Sequence, residues 1–530
     1  MQKKFSLTGK KWVISANIPD SEISLSSFLM SKRELDKFNE KEGKFSDMPK
    51  AISRIQKAVN NGEKIGIFGD YDCDGITAAA QLVRYARRHN IDYTVRLPHR
   101  IKDGYGLSNE IILWFAEKEI DLLITVDTGI SSTEEIKLAL EKNIDVIITD
   151  HHQPQTQLPR AYAILHPQLE DNFPKPHPAG AGVAYALVNA LEENNWEGKD
   201  EDLSLAMIGT IADLVPLNGA NRKLVKEGLV SFNRLSNCPL ATLREKTKSK
   251  TSTDIAFRIA PRINAAGRMD DPSLALAAIL DGKEALVTLD ELNGIRQDKT
   301  HELTTHAIES IVNPELELLL WAASKKYPHG IVGLIAGRLT ENYGKPSCAV
   351  SMDRDICTAS LRSPPCYNIT EGLNRCSDLL IAYGGHAQAA GCTFYERKAS
   401  ALFIRLSKDI ALNVPPEKLS PKLDIDTEID LKDISLSLID SLNILKPYGQ
   451  GNSEPLFLIQ NVKLKNTKCV GKEMTHLQFS IDGIKGIGFG LGHLENECNS
   501  NIDIVCKLDI DEWNGVRQPQ VILVDIMNSK

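Results

Sequence analysis

None of the ten cysteines stands at Cys-x-x-Cys spacing with another anywhere in the 530 residues. A structural zinc site of the common kind needs such a pair, and the scatter offers no disulfide framework either. Reduced, partly buried thiols are expected. No run of about 18 apolar residues occurs, so no membrane-spanning helix is expected. The opening stretch MQKKFSLTGKKWVIS has no sustained apolar core of signal-peptide type. A reduced, cytoplasmic compartment follows as the expectation. An excess of positive charge is also missing. The formal net charge is −8, so a nucleic-acid partner would have to be held by local basic strips or through metal ions.

What is present is ordinary in bulk, with 42% hydrophobic and 25% charged residues, as in soluble globular proteins. The length implies roughly three or four domains. From about 51 to 150 the pattern alternates. Helices are expected at Ala51–Asn60, Gly75–His89, Ser108–Lys118 and Thr133–Lys142, the last with a capping box from Ser132 and Glu135. Strands are expected at Lys64–Gly69, Tyr93–Leu97, Leu122–Val126 and Asp145–Thr149. Such alternation implies an α/β fold with a parallel sheet covered on both faces.

The stretch KIGIFGDYDCDGIT (64–77) organises the chain. A buried strand leads into Asp70, Asp72 and Asp74, then Gly75 and a helix. Three carboxylates at alternate positions on one tight turn repel one another, and a divalent cation is the usual compensation. An EF-hand loop opens with the same string but needs an acid at its twelfth position, which here is Gln81. A solvated turn that merely caps a helix is the plainer reading, and the later acids count against it. Three strands each end in an acid: Asp70, Asp127 and Asp150. In parallel sheets the ligand crevice lies at the carboxyl ends of strands. His151 and His152 follow Asp150 directly, and Asp213 closes the apolar run MIGTIADLVPL.

In order and spacing, GDYDCDGIT (69–77), VDTGIS (126–131), TDHH (149–152) and IGTIADLVPL (208–217) resemble the DHH phosphoesterase superfamily. The resemblance continues through RINAAGRMDDPS, GIVGLIAGRL, YGGHAQAAGC, LKPYGQGNSEPLF and VGKEMTHLQF. That longer set is similar to the superfamily's single-strand-specific 5′-to-3′ DNA exonucleases. It implies a multidomain protein with an N-terminal segment (1–50), a DHH catalytic domain (51–280) and a connecting helix (281–314). A DHH-associated substrate-binding α/β domain (315–408) and an OB-type β-barrel (422–530) would follow.

By position, the resemblance makes Asp72 and Asp127 ligands of one divalent metal. It makes Asp74, Asp127, His151 and Asp213 ligands of a second, with Asp127 bridging. Mn²⁺ or Mg²⁺ suits such carboxylate and imidazole donors. His152 is expected to contact the phosphate or protonate the leaving oxygen, and Asp150 to orient an imidazole. Many relatives carry a histidine ligand where Phe68 stands, so the first site is expected to be weaker or completed by Asp70 and water. Cys73 is expected to be a small buried filler.

Arg100 with Tyr105, and Arg262 and Arg268 flanking the INAAG turn, resemble phosphate contacts near the 5′ end. Ser360 and Arg362, in a polar turn, and His386, in GGHAQAAG, would bind substrate from the associated domain. Lys463, Lys465, Lys468 and Lys472 form a basic strip in the last domain, with Phe479 and Trp513 as either stacking faces or core. The resemblance implies a role in DNA repair and recombination, with single-stranded DNA as substrate, a helicase and a single-strand-binding protein as partners, and a monomeric state. Two other readings stand beside it. One is a phosphodiesterase of short oligonucleotides or cyclic dinucleotides, which the extra domains count against. The other is a catalytically silent single-strand binder, which would have lost acids that are all present here.

Overall fold

The computed structural model describes residues 5–15, 24–37, 41, 43–100, 103–104 and 106–529. The chain divides into two compact units, one of Glu34–Asp298 with Pro447–Ser453, the other of Met1–Arg33, Lys299–Lys446 and Glu454–Lys530.

The first unit is built on five parallel strands: β1 (Ile65–Gly69), β2 (Tyr93–Arg96), β3 (Leu122–Val126), β4 (Asp145–Thr149) and β5 (Ala163–Leu165), in the order β2-β1-β3-β4-β5. β1 and β3 are buried at every position, which is why they read as continuous apolar runs rather than alternating ones. β1 has β2 on one side and β3 on the other, so the strand order reverses there. The carboxyl ends of β1 and β3 therefore flank the switch point where open α/β sheets bind ligands.

Helix α1 (Cys73–Arg88) leaves that end of β1 with Asp72 as its N-cap. It packs against α2 (Gly180–Leu191) and α3 (Lys199–Ala212), so closely that a Cβ at Gly209 of α3 would stand 2.5 Å from Ala181 Cβ and from Thr77 Oγ1. An ionic lock fixes α1 to α3. Asp202, fully buried, accepts Arg84 Nε at 2.5 Å and Trp196 Nε1 at 2.8 Å and forms an ion pair with Arg88 Nη1 at 2.8 Å. Burying that carboxylate is tolerable only because it is so fully paired.

Three local expectations fail for identifiable reasons. Ser132 makes no side-chain cap bond. Its loop is held instead by Ser132 N donating to Gly129 O at 3.1 Å and Ile130 N donating to the Asp150 carboxylate at 3.0 Å. The INAAG segment is not a turn but part of helix α4 (Ala260–Met269), entered through a π-helical stretch, Ile255–Ile259. The wider turn accommodates Pro261, which has no N–H for the regular ladder. Ser360 and Arg362 lie in strand Ile356–Arg362 rather than in a turn, because that strand is laddered on both sides, to Ala389–Tyr395 and to Ser347–Asp353.

In the second unit a five-stranded sheet runs in the order Ala382–His386, Ala389–Tyr395, Ile356–Arg362, Ser347–Asp353, Leu320–Ser324. The glycine-rich GGHAQAAG string is thus the end of a hairpin. Helix Glu284–Ser310 spans residues of both units. The C-terminal sheet has seven strands, in the order Thr427–Glu428, Phe457–Val462, Ile502–Trp513, Val516–Asn528, Ile484–Gly488, His476–Ile481, Lys465–Val470. It is an open order, so the closed barrel expected from the sequence gives way to an unclosed sheet. Phe479 is buried at 3% exposure, which decides between the two alternatives for it in favour of core. The Trp513 side chain lies outside the described residues. No helix among the described residues is long and apolar enough to cross a membrane.

Candidate metal centre

The carboxyl ends of β1, β3 and β4 deliver Asp70, Asp127 and Asp150 to one crevice, and α1 and α3 add Asp72, Asp74 and Asp213. Asp72 caps α1, its Oδ1 accepting Asp74 N at 2.9 Å and Gly75 N at 3.1 Å. Asp74 is 1% exposed and receives Gly180 N at 2.7 Å and Ala181 N at 3.0 Å from the start of α2. Asp213 follows α3 as its C-cap. His151 Nε2 lies 3.1 Å from Asp127 Oδ1, 3.6 Å from Asp213 Oδ2 and 3.8 Å from Asp74 Oδ2. Asp70, Asp72 and Asp127 form a second close group of ligand atoms.

Asp127 belongs to this second group and also to one with His151 and His152, and His151 is shared in turn with Asp74 and Asp213. The Asp127 backbone is in the left-handed region, φ 58°, which a non-glycine residue adopts only where surroundings enforce it. Its Oδ1 is buried and accepts no hydrogen bond among the described residues. A Cβ at Gly180 would come within 2.6 Å of the Asp127 Cγ, so only glycine lets α2 approach the carboxylate. A buried anion left with an orphan oxygen among carboxylates and imidazoles is what a hard divalent cation completes. The residues present fit Mn²⁺ or Mg²⁺.

The electrostatics agree. Burial and the charges of Asp72 and its neighbours push Asp74 up to about 7 and, with Asp74 and Asp72 as the main charges, Asp213 up to about 8. Burial and the surrounding acids raise Asp70 and Asp127 well above the carboxylate range. Asp150 behaves oppositely. Burial would raise it, but the His152 imidazole and the backbone N–H groups of Ile130 and His152 hold it at about 2. Its Oδ1 accepts His152 Nδ1 at 2.8 Å. In turn His152, despite burial, is raised to about 9 by Asp150 and by the nearby charges of Asp70 and Asp213. Asp150→Asn is expected to return the His152 titration toward about 6.5 and to lower turnover about 10- to 100-fold. Imidazole NMR across a pH series checks this, and an unmoved His152 would refute the pairing.

Several contributors carry no signal strong enough to single out in the sequence. His166, fully buried just after β5, has its Nε2 2.8 Å from the His152 carbonyl, while its Nδ1 accepts Gln168 N at 3.2 Å. Nε2 therefore carries the proton and donates. It stands at a fourth strand end, the one cue that would have found it. Asn264 of α4 accepts Cys73 N at 2.9 Å, and Gly267 lets the same helix close on the Tyr71 carbonyl. Gly180 and Ala181 sit in the small-residue string PAGAG.

Phe68 is fully buried, edge-on to Phe115 at 6.5 Å, in the cluster beneath the sheet rather than at the metal centre. Cys73 is buried. The Arg100 guanidinium lies 5.3 Å from the centre of the Tyr71 ring, and Arg268 is close enough to Tyr71 to act on it electrostatically. These two are brought to the acidic turn. Arg262 is engaged elsewhere, its Nε 2.7 Å from Asp290, which Lys246 also pairs. Tyr105 lies outside the described residues. In the second unit Ser360 and Arg362 share one face of their strand beside Gly333, whose Cβ would stand 3.5 Å from Ser360 Oγ and 3.2 Å from Arg362 Nη2. His386 lies in the same row of the sheet, through Ala389.

Fold and site together define a DHH-family phosphoesterase domain, and the model of the DHH family N-terminal domain matches residues 64–211. The model of the RecJ OB domain matches residues 425–525. The single-stranded-DNA-specific exonuclease RecJ of Salmonella typhimurium is 32% identical, over 91% of this chain and 90% of that protein. The chain belongs to the RecJ family. The RecJ proteins of Bacillus subtilis and Thermus thermophilus are 34% and 33% identical over 90% of this chain, which spans 63% and 70% of their lengths. The crystal structure of Thermus thermophilus RecJ in complex with Mn²⁺ superposes with a TM-score of 0.85 at 28% identity, covering all of this chain and 80% of that one. A Mg²⁺ complex of the same protein also matches, with a TM-score of 0.79.

Proposed function

We propose that this chain is a phosphodiester hydrolase that removes nucleotides from the 5′ end of single-stranded DNA, using two divalent cations, Mn²⁺ or Mg²⁺, in DNA repair and recombination. The observation that carries this reading is the position of Asp127, shared between the group Asp70, Asp72, Asp127 and the group around His151. In this reading Asp72 and Asp127, aided by Asp70 and water, hold one cation. Asp74, Asp127, His151 and Asp213 hold the other. When bound, the pair supplies Lewis acidity that activates the attacking water and offsets charge developing on the phosphate.

The chain's own residues do the rest. His152, held through Nδ1 by Asp150 Oδ1 at 2.8 Å, contacts the phosphate or gives a proton to the leaving oxygen. His166, and the three backbone N–H groups that fix Asp150, those of Ile130, His151 and His152, set that imidazole's direction. Arg100 and Arg268 contact phosphates near the 5′ end, where planar guanidinium groups suit the anion. Ser360, Arg362 and His386 bind substrate from the associated domain. Arg262, paired with Asp290, supports α4 and reaches the same phosphates near the 5′ end. Lys463, Lys465, Lys468 and Lys472 are all exposed and supply a basic strip on the OB-type domain. The proposal places the protein in a reducing cytoplasm. The proposal extends to a monomer that takes its single strands from a helicase and a single-strand-binding protein.

Oligonucleotides labelled separately at each end, single- and double-stranded, are the test, with Mn²⁺, Mg²⁺ or chelator. Mononucleotides should appear progressively from the 5′ ends of single strands only, and chelator should abolish them. Binding without cleavage under every metal condition would instead mean a silent binder. Cleavage confined to very short oligomers would mean a small-substrate phosphodiesterase. Because Phe68 supplies no ligand, the two cations should bind with unequal affinity, so that activity depends steeply on metal concentration. Calorimetric titration showing two equally tight sites would contradict that.

A further inference from the structure

The motif KPYGQGNSEP (446–455) has no part in the chemistry above, yet seven of its residues, Pro447–Ser453, belong to the catalytic unit. They form a tight hairpin. Gly449 N donates to Asn452 O at 2.9 Å, Asn452 N returns a bond to Gly449 O at 3.1 Å, and Asn452 Nδ2 closes on Pro447 O at 2.9 Å. Asn452 is 1% exposed, and Gly451 takes the left-handed conformation, φ 73°.

This hairpin grips the loop that follows α3. Leu217 N donates to Gln450 O at 2.8 Å. A Cβ at Gly449 would lie 2.5 Å from Leu217 Cδ1, and one at Gly451 would lie 3.2 Å from Pro216 Cβ. From the other side, the buried Asn221 donates through Nδ2 to Pro216 O at 3.2 Å and to His177 O at 2.9 Å. His177 stands three residues before Gly180, whose N–H holds Asp74. The clamped loop is short. Only Leu214, Val215 and Pro216 separate Asp213 from Leu217, and Leu214 is held in the left-handed region, φ 59°, with its side chain 64% exposed. A bulky residue in that conformation with no burial to repay it indicates a backbone constrained from its two ends. The hairpin also accepts Ser252 Oγ on Tyr448 O at 2.7 Å, at the start of the helical stretch that leads to α4 and its contacts with the acidic turn.

We propose that the Pro447–Ser453 hairpin is a positioning element for the metal centre, holding Asp213 at the place where it completes the group with Asp74, Asp127 and His151. The proposal rests on the two-cation reading for what Asp213 does there. A stretch of chain distant in sequence thereby sets the geometry of a candidate ligand. Its loss should act on cation affinity and turnover rather than on DNA binding.

The test compares wild type with Asn452→Ala, which loosens the hairpin, and with Gly449→Ala, whose methyl presses on Leu217. A third protein, Gly449→Ala with Leu217→Val, removes the Cδ1 it would meet. Three quantities are read: Mn²⁺ affinity by calorimetry, kcat against KM on a single-stranded oligonucleotide, and amide exchange across 207–217. Asn452→Ala and Gly449→Ala should weaken Mn²⁺ binding at the Asp213 site and lower kcat, each about tenfold. KM should stay unchanged, and exchange should quicken in 210–217 while β1, β3 and β4 stay protected. The double variant should recover most of the loss. Folded variants with unchanged Mn²⁺ affinity and exchange would overturn the proposal, as would a rise in KM alone. If wild type bound no Mn²⁺, the two-cation reading would fail, and faster exchange in 210–217 would still decide whether the hairpin holds the loop.

Discussion

Asp127→Asn will lower exonuclease turnover by about a thousandfold or more, and the same substitution will raise the melting temperature of the chelator-treated protein. Both effects come from one geometry. Asp127 is 2% exposed, and its ionised form is disfavoured by burial and by Asp74, Asp72, Asp70 and Asp213 around it. Such an arrangement is held against its own repulsion for the sake of what it binds. In the proposed two-cation reading, the shared carboxylate would hold the cations that offset charge developing on the reacting phosphate. Losing about 4 kcal/mol of that corresponds to about a thousandfold in rate. Without cations the amide removes repulsion at nearly constant volume, so thermal unfolding should shift upward on the order of 3 °C. A variant that is both inactive and less stable without metal would show that Asp127 serves packing instead.

The second large effect is a pH dependence of opposite sign with and without metal. Asp74 at about 7 and Asp213 at about 8 keep protons in the folded protein that the unfolded chain releases near pH 4. Over the window from about pH 4 to about 8 the folded state therefore binds more protons than the unfolded state, and metal-free stability falls as pH rises. The contribution is complete below the unfolded value and gone above the folded one. Chelator-treated protein should melt on the order of 5 °C lower at pH 9 than at pH 6. If Asp74 and Asp213 hold a cation as proposed, its binding displaces the same protons, so Mn²⁺ affinity should rise with pH, approaching about tenfold per pH unit for each proton displaced. Calorimetry in two buffers of different ionisation enthalpy counts those protons. No proton release between pH 6 and 8 would refute the shared, crowded site.

How far the sequence can be read depends on whether a signal is local. β1, β3 and β4 are short buried runs that each end in an acid, and a parallel sheet forces such ends to one side. Asp70, Asp127 and Asp150 can therefore be grouped from the sequence alone. Asp213 is legible mainly through the family pattern, since a helix-end aspartate by itself says nothing of direction. What stays hidden depends on contacts between distant segments. Gly180 matters because of how closely α2 meets Asp127, and Asn264 because α4 folds over the acidic turn. Arg262 reads as a phosphate contact, and its ion pair with Asp290, from another helix, has no local signal in the sequence. Helix α4 itself reads as a turn because of its glycine and the nearby proline, while in the fold a π-helical entry absorbs the proline. The C-terminal alternation shows strands, but sheet closure depends on pairing order, which alternation does not encode.

The most direct test of the two-cation centre is a Mn²⁺ titration followed by electron paramagnetic resonance, on wild type and Asp127→Asn side by side. Wild type should take up two Mn²⁺ per chain at unequal affinity and show the spin coupling of neighbouring ions once both are bound, and Asp127→Asn should lose the coupled signal. Two uncoupled ions in wild type, or coupling that survives Asp127→Asn, would contradict the shared role of that carboxylate.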